Sequence, residues 1–250
     1  MKNFQYSKSP LIQVIIQIRF PNLLEISNND PVEFHKKIRE QFPDYKKRIE
    51  KNQHISIDKN MEFATKLMQT NIINHQFSSE EHSLVVNLTN TFLSLSTTKY
   101  TTYEDITKIF FFVLEGFKST YQPSYFSRIG LRYVDAINKE KYNKTQCNWG
   151  DLINNSALGM LSNEKLANKV SGLQNIVEVN YNEEISARII TSLGYINNNF
   201  NETYFIFDSD VYSRKRIDSS NIEETLNTLH DYSFELFDDI LTKEMKEAMQ

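Results

Sequence analysis

SYFSRIGLRYVDAI, residues 124–137, is the longest strand-like stretch of the sequence and divides the chain almost in half. At a period of two, Arg128, Gly130 and Arg132 share one face, and the residues between them point to the other face. Two arginines on one strand need anionic partners or water, because burying an unpaired charge costs at least several kcal/mol. This stretch therefore predicts a central strand with a charged face.

The sequence on either side of this strand shows one order of elements twice: a strand, a helix, three strands and a long helix. The opening strand of the first half is predicted over Leu11–Phe20. The long helix of the first half is predicted over Tyr103–Tyr121, with Thr102 as its N-cap. The long helix of the second half is predicted to begin at Ser220, where Ser220 and Glu223 form a capping box.

Residues 30–60 carry one predicted helix and one basic segment. Asp30 is predicted to cap a helix that ends near Gln41. A strand is predicted over about Glu62–Phe77, but none over residues 44–60. The basic residues there indicate either a contact patch or an ordinary solvated face; they are Lys46, Lys47, Arg48 and Lys51.

These elements predict an α+β fold made of two similar β-α-β-β-β-α halves. Hairpins between strands adjacent in sequence indicate a largely antiparallel sheet, and the long amphipathic helices are expected to pack on one face of it. The predicted domains are residues 1–123 and residues 124–250, which form either two intimately packed halves or a single domain.

Composition and charge limit the classes of function. The formal net charge of −4 gives no general attraction to nucleic acid or to anionic lipid. The single cysteine, Cys147, excludes an internal disulfide and suits a reducing compartment. Because no long apolar run is present, we expect a soluble cytoplasmic protein. The six glycines stand apart from one another, so neither a phosphate-binding loop nor a dinucleotide-binding fingerprint is present. No cofactor is expected.

Five segments share their pattern with one known family; they are SPLIQVIIQIRFP (residues 9–21), TFLSLSTTKYTTYEDITKIF (91–110), YFSRIGLRYVDAI (125–137), YFIFDSDVY (204–212) and LHDYSFELFDDILTKEMKEAM (229–249). On these motifs the chain resembles a family of sporadically distributed, uncharacterised bacterial and archaeal proteins of about this length. It departs from the family at Gln13, where glutamate is usual, at Tyr103, where tryptophan is usual, and at Asp135, where asparagine is usual. The resemblance implies no known activity. It implies a place among the cargo of mobile or defence loci, and a protein partner encoded by a neighbouring gene.

Asp208 and Asp210 lie two residues apart on a predicted strand, so both carboxylates project from one face. They can bind a divalent cation, as in phosphoryl-transfer sites, or pair with Arg128 and Arg132. We favour the ion pairs, because no further acidic metal ligands are recognisable, and we expect Arg132 to bind Asp208 or Asp210. With Arg188 these residues form a surface of mixed charge. It is a ligand groove, a protein-contact face or a buried structural network.

Three hypotheses for function follow. The first is a non-enzymatic protein-interaction or regulatory subunit of a bacterial defence or toxin-control system, and a homodimer is compatible with it. The second is a sensor of a small anionic ligand or nucleotide, bound by the arginines. The third is a metal-dependent phosphodiesterase or nuclease. No catalytic residue and no metal ligand is assigned, and the candidate ligand-binding or partner-binding residues are Arg128, Arg132, Arg188, Asp208 and Asp210.

Overall fold

The computed structural model describes residues 6–57, 65–163, 165–196 and 202–250, and its description of side chains excludes residues 50–71. Within this part of the chain the fold is α+β, with nine strands in antiparallel sheet and seven α-helices. The predicted fold class is therefore confirmed. The predicted start of a strand at Glu62 and the side chain of Lys51 lie outside the described residues.

The strands are β1 (Leu11–Arg19), β2 (Asp44–Ile57), β3 (Thr65–Ser78), β4 (Leu84–Leu88), β5 (Phe92–Thr97), β6 (Arg128–Asn138), β7 (Leu173–Asn180), β8 (Ile185–Gly194) and β9 (Tyr204–Ser213). The helices are α1 (Leu24–Asn28), α2 (Val32–Ile38), α3 (Tyr103–Tyr121), α4 (Trp149–Leu152), α5 (Asn155–Leu158), α6 (Ile222–Ile240) and α7 (Lys243–Met249). None of the described helices combines the length and the apolar run that are needed to cross a bilayer.

The chain divides into two compact units. Unit 1 comprises Met1–Ile16, Thr98–Tyr100 and Ser127–Gln250, and unit 2 comprises Gln17–Thr97 and Thr101–Phe126. The predicted domains, residues 1–123 and 124–250, and the similarity of the two halves stay predictions.

Unit 1 is built on four strands in the order β6-β9-β8-β7, all antiparallel. Strand β1 lies beside β6, where the Ala136 N–H donates to the carbonyl of Pro10 at 2.9 Å. Helix α6 packs on β6 and β9. Strands β6 and β9 alternate as the sequence predicted, because one side of these two strands faces this helix and the other side carries the polar residues.

The core of unit 1 lies between this sheet and the C-terminal helices. Phe205 and Phe207 of β9 pack there with Ile137 of β6 and with Met245 and Met249 of α7. Burying such side chains contributes about 1.5–3 kcal/mol each. The helix-facing residues of β6 and β9 therefore determine which side of the sheet is buried in the core.

The N-terminal end of α6 differs from the prediction. Asn221 is the N-cap and makes no capping bond, while the Ser220 hydroxyl donates to the Asn221 side chain. The predicted capping box of Ser220 and Glu223 does not form, so this prediction is wrong. At the other end Thr242 accepts from the N–H of Met245 at 3.2 Å and begins α7. Helix α6 carries six acidic residues and no lysine or arginine; they are Glu223, Glu224, Asp231, Glu235, Asp238 and Asp239.

Unit 2 contains four strands in the order β2-β3-β4-β5. The turn of residues 89–91 joins β4 to β5 as a tight hairpin, a connection of the kind predicted between strands adjacent in sequence. Strand β2 is a correction, because no strand was predicted there. Its charged residues mask the alternation, and its Cα register follows β3 along all of its 14 residues. Charged side chains are common on outer strands, where one edge faces water.

The N-terminal cap of α3 agrees with the prediction, and that of α2 does not. Thr102 caps α3 by accepting from the N–H of Asp105 at 3.1 Å, as predicted. Helix α2 begins after Pro31, which is its N-cap, so the predicted cap at Asp30 is wrong. Lys47 binds the Asp30 carboxylate at 2.8 Å instead. This partner lies on β2, which the sequence did not reveal as a strand.

Asp135 of β6 is a buried acid in unit 1. It is only 4% exposed, and its carboxyl has no hydrogen-bond partner among the described residues. Burial raises the pKa of Asp135 to about 8, and the negative charge of Asp208 acts in the same direction. The folded chain therefore holds this carboxyl neutral at pH 7.

We expect Asp135→Asn to raise the free energy of unfolding at pH 7 by about 1–4 kcal/mol. The unfolded aspartate ionises near pH 3.9 whereas the folded one ionises near pH 8, so the folded state binds more protons between these values. Its contribution to stability is complete below pH 3.9 and is lost as the pH rises towards 8. Urea midpoints measured from pH 4 to pH 8 should therefore show a gain that grows with pH.

The matched control is Asp231→Asn on α6, where the aspartate is exposed. This variant should differ from the native chain by the same small amount at every pH. A loss of stability in Asp135→Asn at pH 7, or a difference independent of pH, would contradict the buried neutral acid.

Candidate functional site

The candidate site is the side of the unit 1 sheet opposite α6, which we call the charged face. Along β9 the residues Phe205 and Phe207 are buried in the core, so the even-numbered residues between and beyond them point the other way. The charged face is defined by six residues on four adjacent strands: Arg128, Arg132, Glu178, Arg188, Asp208 and Asp210. All five residues proposed from the sequence are brought together there.

One row of the register crosses the whole charged face. Arg132 of β6 is the Cα partner of Asp210 on β9, and Asp210 is the partner of Arg188 on β8. Arg188 is in turn the partner of Glu178 on β7. The charge alternates in sign at every step across the four strands. Opposite charges on neighbouring strands stabilise the pairing.

Arg132 binds Asp208 rather than the residue directly opposite. Its Nε donates to Oδ1 of Asp208 at 2.6 Å, and Nη2 donates to Oδ2. This bidentate geometry is the strongest that arginine makes with a carboxylate. The hydrogen bond to Asp208 raises the pKa of Arg132, so the guanidinium stays charged. The expectation that Asp208 or Asp210 binds Arg132 is confirmed.

Arg128 reaches Asp210 by lying across Gly130. Its Nη2 donates to Oδ2 of Asp210 at 2.6 Å. A Cβ on Gly130 would lie 2.6 Å from Nη1 of Arg128 and 3.0 Å from Oδ1 of Asp210. The guanidinium also lies over the ring of Tyr212, with 4.3 Å between Cζ and the ring centroid. The glycine therefore makes room for this ion pair.

Arg188 and Glu178 form the loose, outer end of the charged face. Their closest N···O distance is 3.7 Å, and their side chains are 51% and 52% exposed. Tyr212 donates to the Glu178 carboxylate at 3.4 Å. An exposed pair of this kind contributes about 0–1 kcal/mol. Arg188 is thus the most accessible cation of the three arginines.

This arrangement neutralises the groups that ligand or metal binding would need. Asp208 and Asp210 each bind an arginine. In the part of the chain that the structure describes, no three His, Cys, Asp or Glu side chains are grouped closely enough to hold a metal ion. The sequence did not predict the contact of Arg128 with Tyr212. The signal was available, because Tyr212 shares its strand face with Asp210.

A separate pocket of about 450 Å³ lies in unit 2, and sequence reasoning did not find it. Two acidic residues of its lining are each bound by a lysine: Lys36 binds Glu33, and Lys47 binds Asp30. Lys37 in the lining donates to the hydroxyl of Ser119 at 2.7 Å. Two of the carboxylates in the lining are therefore compensated by lysines.

The sequence matches no protein-family model, and no curated protein shows significant similarity to it. The resemblance proposed from the five motifs therefore stays an expectation.

We expect the three arginines to differ in their effect on stability, in the order of how deeply their partners are buried. Arg132→Ala leaves Asp208, with only 12% of its side chain exposed, without a cation, and should cost about 2–3 kcal/mol. Removing one partner of a fully buried ion pair costs about 3–5 kcal/mol. The expected cost is smaller here, because the Arg132 side chain is 43% exposed and solvent partly screens its charge. Arg128→Ala should cost about 1–2 kcal/mol.

Arg188→Ala serves as the matched control and should cost less than about 1 kcal/mol. Urea unfolding of the three variants measures the order directly. An Arg188→Ala variant as destabilised as Arg132→Ala would contradict it.

Gly130→Ala should destabilise the native chain and yet be neutral or stabilising when Arg128 is absent. In the native chain the new Cβ displaces the Arg128 guanidinium and breaks its bond to Asp210. In an Arg128→Ala background that bond is already lost, and replacing a strand glycine by alanine gains about 0.5–1 kcal/mol. A double-mutant cycle by urea unfolding measures the coupling. Additive effects would show that the glycine does not serve this ion pair.

Proposed function

We propose that the chain is a non-enzymatic protein-interaction subunit and that its partner binds the charged face of unit 1. The observation that carries this proposal is the internal pairing of the charges on that face. Arg128 and Arg132 are each held by an aspartate at 2.6 Å, so neither the cations nor the carboxylates are available to a small ligand. What is left is an ordered surface with no net charge.

The exposed part of this surface suits a protein partner. Arg188 and Glu178 are half exposed, and Ile176 beside them on β7 is 53% exposed. Arginine is enriched in protein interfaces, and it contributes most where apolar neighbours exclude water. A face already ordered by ion pairs also loses less conformational entropy when it binds.

The other two hypotheses have less support. A sensor of anionic ligands needs an uncompensated cation, and Arg188 is the one arginine of the face whose carboxylate partner lies as far as 3.7 Å away. A metal-dependent phosphodiesterase needs Asp208 and Asp210 to release their arginines and to recruit further ligands. Neither requirement follows from the geometry of the face.

The resemblance to a family found in mobile and defence loci supports a particular origin for the partner. We place the chain in a bacterial defence or toxin-control system, with the partner encoded by a neighbouring gene. The two halves are proposed to be related, since β2–β5 and β7–β9 are each an antiparallel series of strands followed by a long helix.

Co-expression of the tagged chain with the product of each adjacent gene tests this proposal. We expect one product to co-purify, and we expect Arg188→Glu to weaken its binding at least about tenfold, equivalent to about 1.4 kcal/mol. Arg188 is exposed, so this change should leave the urea midpoint within about 0.5 kcal/mol of the native chain.

The control is Lys165→Glu, which makes the same change of charge at an exposed residue outside the charged face. It should bind as the native chain does. If no neighbouring product co-purifies, or if Arg188→Glu and Lys165→Glu bind equally well, the proposed face is wrong.

A further inference from the structure

The row of alternating charges that crosses the charged face is self-complementary. Its members are consecutive Cα partners on four strands, and their signs read plus, minus, plus, minus; they are Arg132 of β6, Asp210 of β9, Arg188 of β8 and Glu178 of β7. A row of this kind becomes its own opposite when it is reversed. A second copy of the row, turned end to end, therefore places an unlike charge opposite every charge.

The two members of the row on β7 and β8 carry the charges that are least satisfied within the chain. Arg188 and Glu178 are about half exposed, and their closest N and O atoms are 3.7 Å apart. Arg132, by contrast, holds Asp208 in a bidentate pair. In the reversed arrangement Arg188 faces Asp210 of the second copy. Glu178 faces Arg132 of the second copy, so both loosely paired charges gain a partner.

The neighbouring row on the same side of the sheet adds an apolar contact. Val134 and Ile190 are the Cα partners of Asp208, and Ile176 is the partner of Ile190. The same reversal places Ile176, which is 53% exposed, opposite Val134 of the second copy. Ile190 faces Asp208, whose charge is already compensated by Arg132. Because removing apolar surface from water favours association, the apolar contact and the charges support the same arrangement.

The arginines of β6 leave this side of the sheet flat enough to be packed against. The guanidinium of Arg128 lies across Gly130 and binds Asp210, and that of Arg132 binds Asp208 on the next strand. Both side chains therefore extend along the sheet instead of projecting from it. Two sheets can then stack face to face, with their strands nearly aligned and about 10 Å between them.

We propose that the charged face packs on the charged face of a second copy of this chain, about a two-fold axis that runs parallel to the strands between β8 and β9. Such an axis turns the face over and reverses the order of the strands, while it keeps each row at its own height. A displacement by one strand would bring like charges together, which electrostatic complementarity disfavours. The charges of the row thus determine the position of the axis.

The size of the charged face indicates a weak dimer. Four strands that are about 4.8 Å apart and about eight residues long cover roughly 500 Å² on each copy. Stable interfaces bury about 800 Å² on each partner, so this contact belongs with the transient ones. The dimer goes beyond the proposed function and does not rest on it, because either can occur without the other. Where both occur, the partner displaces the second copy from the face that they share.

Sedimentation equilibrium of the full chain at roughly 1–100 μM, the range in which weak dimers dissociate, tests this packing. We expect a dimer, and we expect Arg188→Glu and Glu178→Arg each to raise its dissociation constant at least about tenfold, because each brings like charges together across the axis. The control is Lys165→Glu, at an exposed residue outside the charged face, which should leave the dimer unchanged. Because all three residues are exposed, the variants should fold, which far-ultraviolet circular dichroism checks.

Chemical cross-linking in a Cys147→Ser background locates the axis. Ile190 lies on β8, next to the axis, and its Cα partner Ile176 lies one strand farther away on β7. With strands about 4.8 Å apart and sheets about 10 Å apart, the Cα atoms of the two Ile190 residues are about 11 Å apart and those of the two Ile176 residues about 17 Å apart. A bismaleimide whose spacer matches the shorter distance should therefore join Ile190→Cys into a covalent dimer and leave Ile176→Cys monomeric. Equal cross-linking of both variants, or of neither, overturns the proposal.

The remaining outcomes separate this inference from the proposed function. A monomeric native chain, or a dimer that both charge reversals leave intact, overturns the packing of two copies. If that monomer still binds a neighbouring gene product through Arg188, the proposed function stands without the dimer. A dimer that responds to both reversals supports this inference, and it does so even where no neighbouring product co-purifies and the proposed function fails.

Discussion

The pairing of β6 with β9 is the constraint on which the rest of unit 1 depends. One side of this pair supplies Ile137, Phe205 and Phe207 to the core, and the other supplies the arginine–aspartate pairs. A slip of one residue would turn the aspartates of β9 towards the core and its phenylalanines towards water. The apolar contacts and the ion pairs therefore select the same register. A shifted register would lose both of them.

The features that could be predicted from the sequence depend on neighbours in the chain. Helix α3 begins at Thr102 as expected, because its cap and its apolar stripe are local signals. The alternation of β6 and β9 likewise predicted that Arg132 and the two aspartates lie on the polar faces of their strands. Whether Asp208 or Asp210 would bind Arg132 could not be predicted, since this depends on the diagonal offset of two paired strands.

The features that could not be predicted depend on partners far away in sequence. Strand β2 has too many charged residues for its alternation to be visible, and its pairing with β3 defines it. Asp30 looked like a helix cap, but Lys47 binds its carboxylate. The capping box at Ser220 had the right spacing and failed because the helix begins later, at Ile222. A local motif states what a segment can do, and tertiary contacts decide which of its options is used.

Helix α6 and the charged face give the two sides of the unit 1 sheet different electrostatic characters. The charged face has three cations and three anions, and its short-range pairing leaves little field beyond the surface. Helix α6, on the opposite side, has six carboxylates and no lysine or arginine. Lys246 of α7 binds one of these carboxylates, Asp238, and the other five make the helix side the more attractive one for a basic molecule. A partner of the kind proposed for the charged face would arrive by unassisted diffusion. Such encounters proceed at about 10⁵–10⁶ M⁻¹ s⁻¹ and respond weakly to salt, so the lifetime of the complex, not the speed of its formation, sets its strength.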